Sequence, residues 1–142
     1  MFSKEESKKI REEFWTSFGK QYPKKWLLYN TKIKDVTLKF TFTTKKAQVS
    51  VDIEPYDDII KAYYYDKFVS LKNIIISEYV KDIIFDEHYE LDNGKIISRV
   101  YVELQNVSIH NKNTWDSTMT FLNDNMLTLE AFFIEYKDFI SQ

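Results

Sequence analysis

The sequence predicts an α+β fold: one mixed or antiparallel sheet of about five strands with three helices, in the order α-β-β-β-α-β-β-α, as a single domain over residues 1–142. Three observations lead there. Val36, Leu38, Phe40 and Phe42 alternate with polar residues, as do Ala47, Val49, Val51 and Ile53. Period two with β-branched and aromatic residues means half-buried antiparallel strands. Asn93-Gly94 sits between two further apolar runs and marks a second hairpin. Apolar stripes at helical spacing occupy the beginning, middle and end of the chain.

Taken in order, Ser3-Lys4-Glu5-Glu6 is a capping-box pattern that opens a first helix. Ile10, Phe14 and Phe18 form its stripe, with Trp15 beside them. Gly19 is placed to stop it in a left-handed cap, and Pro23 ends any continuation. The short apolar run Trp26–Tyr29 reads as a strand. In the first hairpin, a turn at Thr43-Thr44-Lys45-Lys46 sets Phe42 opposite Ala47 and Thr37 opposite Asp52. Pro55 ends that strand, and Asp57 or Asp58 caps a second helix. Its stripe, Ile60, Tyr64, Phe68, Leu71 and Ile75, carries it to about Tyr79. The second hairpin takes residues 83–91 and 96–104. The last helix runs from about Thr114 to Ile140, with Trp115, Met119, Leu122, Met126, Leu129, Phe133, Tyr136 and Ile140 in a heptad-like seam. Such a seam serves either a sheet that the helix crosses or a homodimer through the C-terminal helix; the sheet is the simpler use.

Composition excludes several classes of function. There is no cysteine, so disulfide and thiolate chemistry are absent. No apolar run approaches the roughly 18 residues of a membrane span, and the charged N-terminus has no apolar core of a signal peptide. A cytoplasmic protein without membrane contact is the expectation. The two histidines, His88 and His110, lack metal-ligand spacing, and there is no phosphate loop, dinucleotide fingerprint or serine elbow. No cofactor and no metal is expected. The net charge of −2 hides an asymmetry. Residues 1–50 hold 12 basic and 5 acidic residues, a balance of +7, and the remainder of the chain carries −9. Aromatics are abundant, as Lys, Ile and Asn are, which weakens them as a binding signature by themselves.

Four stretches could hold chemistry. In the first hairpin Asp35, Asp52 and Glu54 share a face with Lys39, and two strand carboxylates can hold Mg²⁺ for phosphodiester cleavage. The helix-and-strand order resembles the restriction-endonuclease core. The expected acid-x-lysine triplet is missing, however, because Pro55 follows Glu54. In the second hairpin a two-residue Asn-Gly turn pairs Asp92 with Lys95. That register sets His88 opposite Arg99 and Asp86 opposite Tyr101, with Glu90 and Glu103 beside them. Third, eight lysines between Lys20 and Lys46 interleave with Tyr22, Trp26 and Tyr29, a pattern that can bind phosphates and stack bases. The pI of about 5.7 argues against a wholly basic nucleic-acid binder. Fourth, His110, Asn111, Lys112, Asn113 and Trp115 lie where a strand gives way to a helix. The backbone N–H groups there could meet an anion, or the asparagines could satisfy the local backbone.

The segments EFWTSFGKQYPKKWLLYNTKIK, VDIE, NGKIISRVYVEL and SIHNKNTW, together with the overall length, resemble an uncharacterised bacterial family of short stand-alone proteins, a domain of unknown function. Related domains resemble the C-terminal part of longer proteins with nuclease-like N-terminal regions. The resemblance implies an accessory role linked to DNA or defence, and it implies no catalytic residues. The expectation is a non-enzymatic binding or accessory module with an unknown protein or nucleic-acid partner. It would use the 110–115 loop and the sheet face with His88, Arg99 and Tyr101. The alternatives are a divergent metal-dependent nuclease-like enzyme and a homodimerising domain.

Overall fold

The computed structural model describes residues 2–142. The elements are α1 (Lys4–Gln21), β1 (Val36–Phe42), β2 (Lys46–Ile53), α2 (Asp58–Ser70), α3 (Lys72–Glu78), β3 (Ile84–Glu90), β4 (Ile96–Gln105), a 3₁₀ turn (Lys112–Thr114) and α4 (Trp115–Ile140). The sheet has four strands, all antiparallel, in the order β1-β2-β4-β3. It is therefore an α+β fold, with one strand fewer and one helix more than the sequence predicts.

Helix α1 begins as its sequence dictates. The Glu6 N–H donates to Ser3 Oγ and the Ser3 N–H to Glu6 Oε1, closing the capping box. The Ser3 N–H, helped by its hydroxyl, holds the Glu6 carboxyl below its ordinary pKa. Gly19 does not stop the helix, which continues to Gln21 with Tyr22 as its C-cap. The chain leaves at Tyr22-Pro23, since a proline cannot supply the next helical N–H.

Trp26–Tyr29 is not a strand. Leu28 sits in the left-handed region at φ 47°, which bends the chain after one β-like contact, Leu38 N–H to Leu28 O at 3.0 Å. The segment is held down from α4 instead. Buried Glu130 accepts from Leu27 N–H at 2.7 Å and from Lys24 Nζ at 2.8 Å. With only two glycines in the chain, Leu28, Lys32, Asp35 and Asn106 occupy left-handed positions that glycine would normally take.

The helix expected to run unbroken to Tyr79 divides at Leu71. Ser70 Oγ donates back to Lys67 O, and Leu71 N–H reaches Phe68 O, tightening the last turn of α2 before α3 begins. Of the two aspartates that the sequence offers, Asp57 caps α2.

The first hairpin has the predicted register, with Phe42 opposite Ala47 and Thr37 opposite Asp52. The second does not. Leu91 O accepts from Gly94 N–H, and Leu91 N–H donates to Lys95 O, so the loop has three residues, with Gly94 at φ 88°. A bulge between Asp86 and Tyr89 shifts β3 further. Asp86, not His88, lies opposite Arg99, and Ile84, not Asp86, lies opposite Tyr101.

All four helices send buried side chains into one apolar cluster on one face of the sheet. Phe14 of α1 meets Phe42 at 4.7 Å and Trp115 at 5.2 Å between ring centroids, and Phe68 of α2 meets Phe132 of α4 at 6.3 Å. The α4 seam belongs to this core. Trp115, Leu122 and Leu129 are 7%, 0% and 1% exposed, so the seam is not free to join a second copy. No helix among the described residues is long and apolar enough to cross a membrane.

Candidate functional site

Because successive strand residues face opposite ways, the outer face carries Thr37, Lys39 and Thr41 of β1, Gln48, Ser50 and Asp52 of β2, and Arg99, Tyr101 and Glu103 of β4. Antiparallel pairing of β2 with β4 puts Asp52 directly opposite Arg99. The Arg99 Nε–H donates to Asp52 Oδ1 and Nη2 to Asp52 Oδ2, each at 2.8 Å, a bidentate pair. Arg99 Nη1 donates to Gln48 Oε1 at 2.7 Å, and Ser50 Oγ to Asp52 Oδ1 at 2.8 Å. Both ions are nearly out of water, Arg99 at 3% exposure and Asp52 at 1%. The Tyr89 ring lies over the guanidinium, 4.4 Å from its centroid to Arg99 Cζ, and Tyr101 meets that ring edge-on.

Burial alone would lower the Arg99 pKa; the hydrogen bonds and charge of Asp52 outweigh it and hold the group above its ordinary value. Lys46 behaves likewise: burial opposes its charge, and Tyr89 and Glu103 more than offset it. Burial, then the charge of Glu103, raises the Tyr101 phenol. Gln48 Nε2 donates to Glu103 Oε1 and to the Tyr89 hydroxyl, which also accepts from Lys46 Nζ.

Above this network opens a cleft of roughly 390 Å³. Arg99, Gln48 and Tyr89 line it with Lys39 and Lys46, and the end of β3 supplies Glu90 and the β3–β4 turn Asp92. Three Arg99 N–H groups are committed to Asp52 and Gln48; a guanidinium has five. Thr41 Oγ1, in the cleft wall, is the one buried side-chain polar atom without a hydrogen-bond partner among the described residues.

The other sequence candidates are placed differently. Asp35, Asp52 and Glu54 do not converge. Asp52 is committed to Arg99, Glu54 pairs with Lys95 at 3.3 Å, and no group of three ligating side chains close enough to hold a metal occurs among the described residues. His88 stands exposed on the bulge with Glu87 at 3.7 Å.

The 110–115 loop is closed on itself. Asn111 Oδ1 accepts from Asn113 N–H, and Thr114 Oγ1 donates to Ser108 O and Asn111 O. Trp115 Nε1 donates to Ile109 O at 2.9 Å. His110 Nε2 meets Ser7 Oγ at 3.2 Å, its ring packs on Phe2 at 4.3 Å, and Lys112 pairs with Glu13 of α1 at 2.6 Å. The loop lies on the core side of the sheet, away from Arg99. Gln48, Tyr89 and Thr41 escape the sequence reading, and Lys46 enters it only as one of the lysines of the basic stretch. Gln48 could have been found from its parity with Asp52 on β2, whereas Tyr89 depends on a bulge with no local signal.

A sequence profile of the domain of unknown function DUF4268 matches residues 10–137. The chain belongs to the DUF4268 family. No curated protein and no solved structure matches it. The segment matched to the family contains every residue of the cleft and of the Asp52–Arg99 network beneath it.

Proposed function

We propose that this DUF4268 chain is a non-enzymatic binding module that holds a small polar ligand in the cleft above Arg99. An anionic group of the ligand, carboxylate or phosphate, meets Lys39, Lys46 and the uncommitted N–H groups of Arg99. A hydrogen-bond-donating or cationic end faces Glu90 and Asp92. The observation that carries this reading is the fixed guanidinium of Arg99 lining one cleft with the ammonium groups of Lys39 and Lys46. Asp52 orients Arg99 with both its oxygens, which suits a positioning role better than proton transfer.

The test is a thermal-shift panel of small zwitterions, dicarboxylates and phosphate esters on the wild type and on Lys39→Ala/Lys46→Ala. A ligand at about a hundred times its Kd stabilises by roughly 2.7 kcal/mol. A shift in the wild type that disappears in the double variant supports the reading. No shift with any compound, or an equal shift in both proteins, rejects it.

A further inference from the structure

The edge of the molecule where α1 meets β1 joins two features that lie apart in the sequence, and shares only Lys39 with the cleft above Arg99. Lys4, Lys8, Arg11 and Trp15 are spaced four, three and four residues apart, so they share one face of α1. The Trp15 indole is half-buried. One side packs edge-on against Phe14 and Phe18, at 4.8 and 5.9 Å. Its remaining surface lines two adjoining hollows. The outer one, of roughly 670 Å³, is bounded by Lys8, Arg11 and Thr16. The inner one, of roughly 460 Å³, is bounded by Leu28, Tyr29, Thr37 and Lys39. Tyr29 is 83% exposed, a large ring left in water at the groove's rim. Lys32 and Lys34 stand exposed on the segment that follows it.

The charge is one-sided. Among the described residues Lys4, Lys8, Arg11, Lys32, Lys34 and Lys39 make no ion pair, and Glu12 is the one carboxylate lining either hollow. Unpaired cations alone would suit any polyanion. Here they flank a groove with an indole and a phenol beside them, and ring faces are what unstacked bases use. A duplex keeps its bases stacked and would gain only the phosphate contacts. We infer that this groove binds single-stranded nucleic acid, with phosphates on Lys8, Arg11 and Lys39 and bases against Trp15 and Tyr29. The net charge of −2 keeps the binding moderate, since the rest of the surface repels the same strand.

Fluorescence anisotropy with labelled 12-nucleotide single-stranded DNA, single-stranded RNA and duplex DNA tests this, each at low and moderate salt. Four variants accompany the wild type: Lys8→Glu/Arg11→Glu, Tyr29→Ala, the charge-matched Lys72→Glu/Lys81→Glu on the other side of the molecule, and Lys46→Ala in the cleft. Expected are single-strand binding with a log–log salt slope of about −2, for roughly three phosphates neutralised, and at least a tenfold loss in Lys8→Glu/Arg11→Glu. Tyr29→Ala should lose about fivefold or more, with little change in the other two variants. Circular dichroism of each variant checks that it is folded, and Tyr29 is exposed enough that its removal leaves the core intact. No binding, tighter binding to duplex than to single strands, or an equal loss in Lys72→Glu/Lys81→Glu overturns the inference. Because Lys46→Ala affects only the cleft, failure of the small-ligand reading and failure of this one are separately visible.

Discussion

The 107–117 loop and the Arg99 cleft contain the same kinds of residue: a cation or imidazole, amides, a hydroxyl and an aromatic ring. They differ in where those groups point. In the loop, the amides, hydroxyl and indole that close the turn bond to the protein. Asn111 closes the 3₁₀ turn, Thr114 ties the turn to Ser108, and Trp115 anchors it to Ile109. In the cleft, Asp52 and Gln48 take three N–H groups of Arg99, and Thr41 Oγ1 bonds to nothing. A cluster that satisfies itself is a brace. A cluster that is fixed in place and left with spare hydrogen-bonding capacity can receive a ligand.

The contrast can be broken most forcefully at Asp52. Asp52→Ala leaves the Arg99 charge buried and unpaired and should destabilise the fold by about 3–5 kcal/mol in urea denaturation. Asp52→Leu/Arg99→Met removes both charges and should recover most of that loss; if Asp52→Ala costs less than about 1 kcal/mol, the pair does not organise this face. In the loop, Trp115→Phe leaves Ile109 O without its donor and a gap beside Phe14. A loss of about 1–3 kcal/mol is expected by the same assay, with ligand response in the cleft unchanged. Asn111→Ala removes the side-chain acceptor of the 3₁₀ turn and should cost about 0.5–1 kcal/mol, again without effect on the cleft.

A smaller effect separates the regions by pH. The Lys46 pKa is raised above 10.5 in the folded chain. Its contribution is therefore complete below pH 10.5 and is lost as pH rises through the folded value. Melting curves from about pH 9 to about pH 12 should show a steeper alkaline fall for wild type than for Lys46→Ala. Parallel curves would mean that the Tyr89 and Glu103 contacts do not hold this ammonium in solution. The smallest effect is expected at Lys112. Its pair with Glu13 is solvent-exposed on both sides, and Lys112→Ala should change stability by less than about 0.5 kcal/mol.

Much of the fold is legible residue by residue. Ser3 and Glu6 announce α1, Asp57 announces α2, and the alternation of Val36–Phe42 against Ala47–Ile53 fixes the first hairpin to the residue. The misreadings occur where short-range signals are silent. Leu28 takes a left-handed conformation that no side-chain preference forecasts, Ser70 turns its hydroxyl back on α2, and the bulge before Tyr89 alters the β3 register. The cleft was half visible. Asp52 and Arg99 each stand out in the sequence, but in separate candidates, one with Lys39 and the other with His88.

Local spacing alone determined the α+β class, the starts of α1, α2 and α4, the first hairpin and the apolar stripes, because propensity, capping and periodicity act within a few residues. Tertiary structure decided that β2 pairs with β4, a contact between Asp52 and Arg99, 47 positions apart in the chain. It also turned the α4 seam into core, braced the 107–117 loop against α1, and left one sheet face without a helix. Such pairings depend on the burial and hydrogen bonding of the whole sheet after long loops have closed, and no single segment encodes that balance.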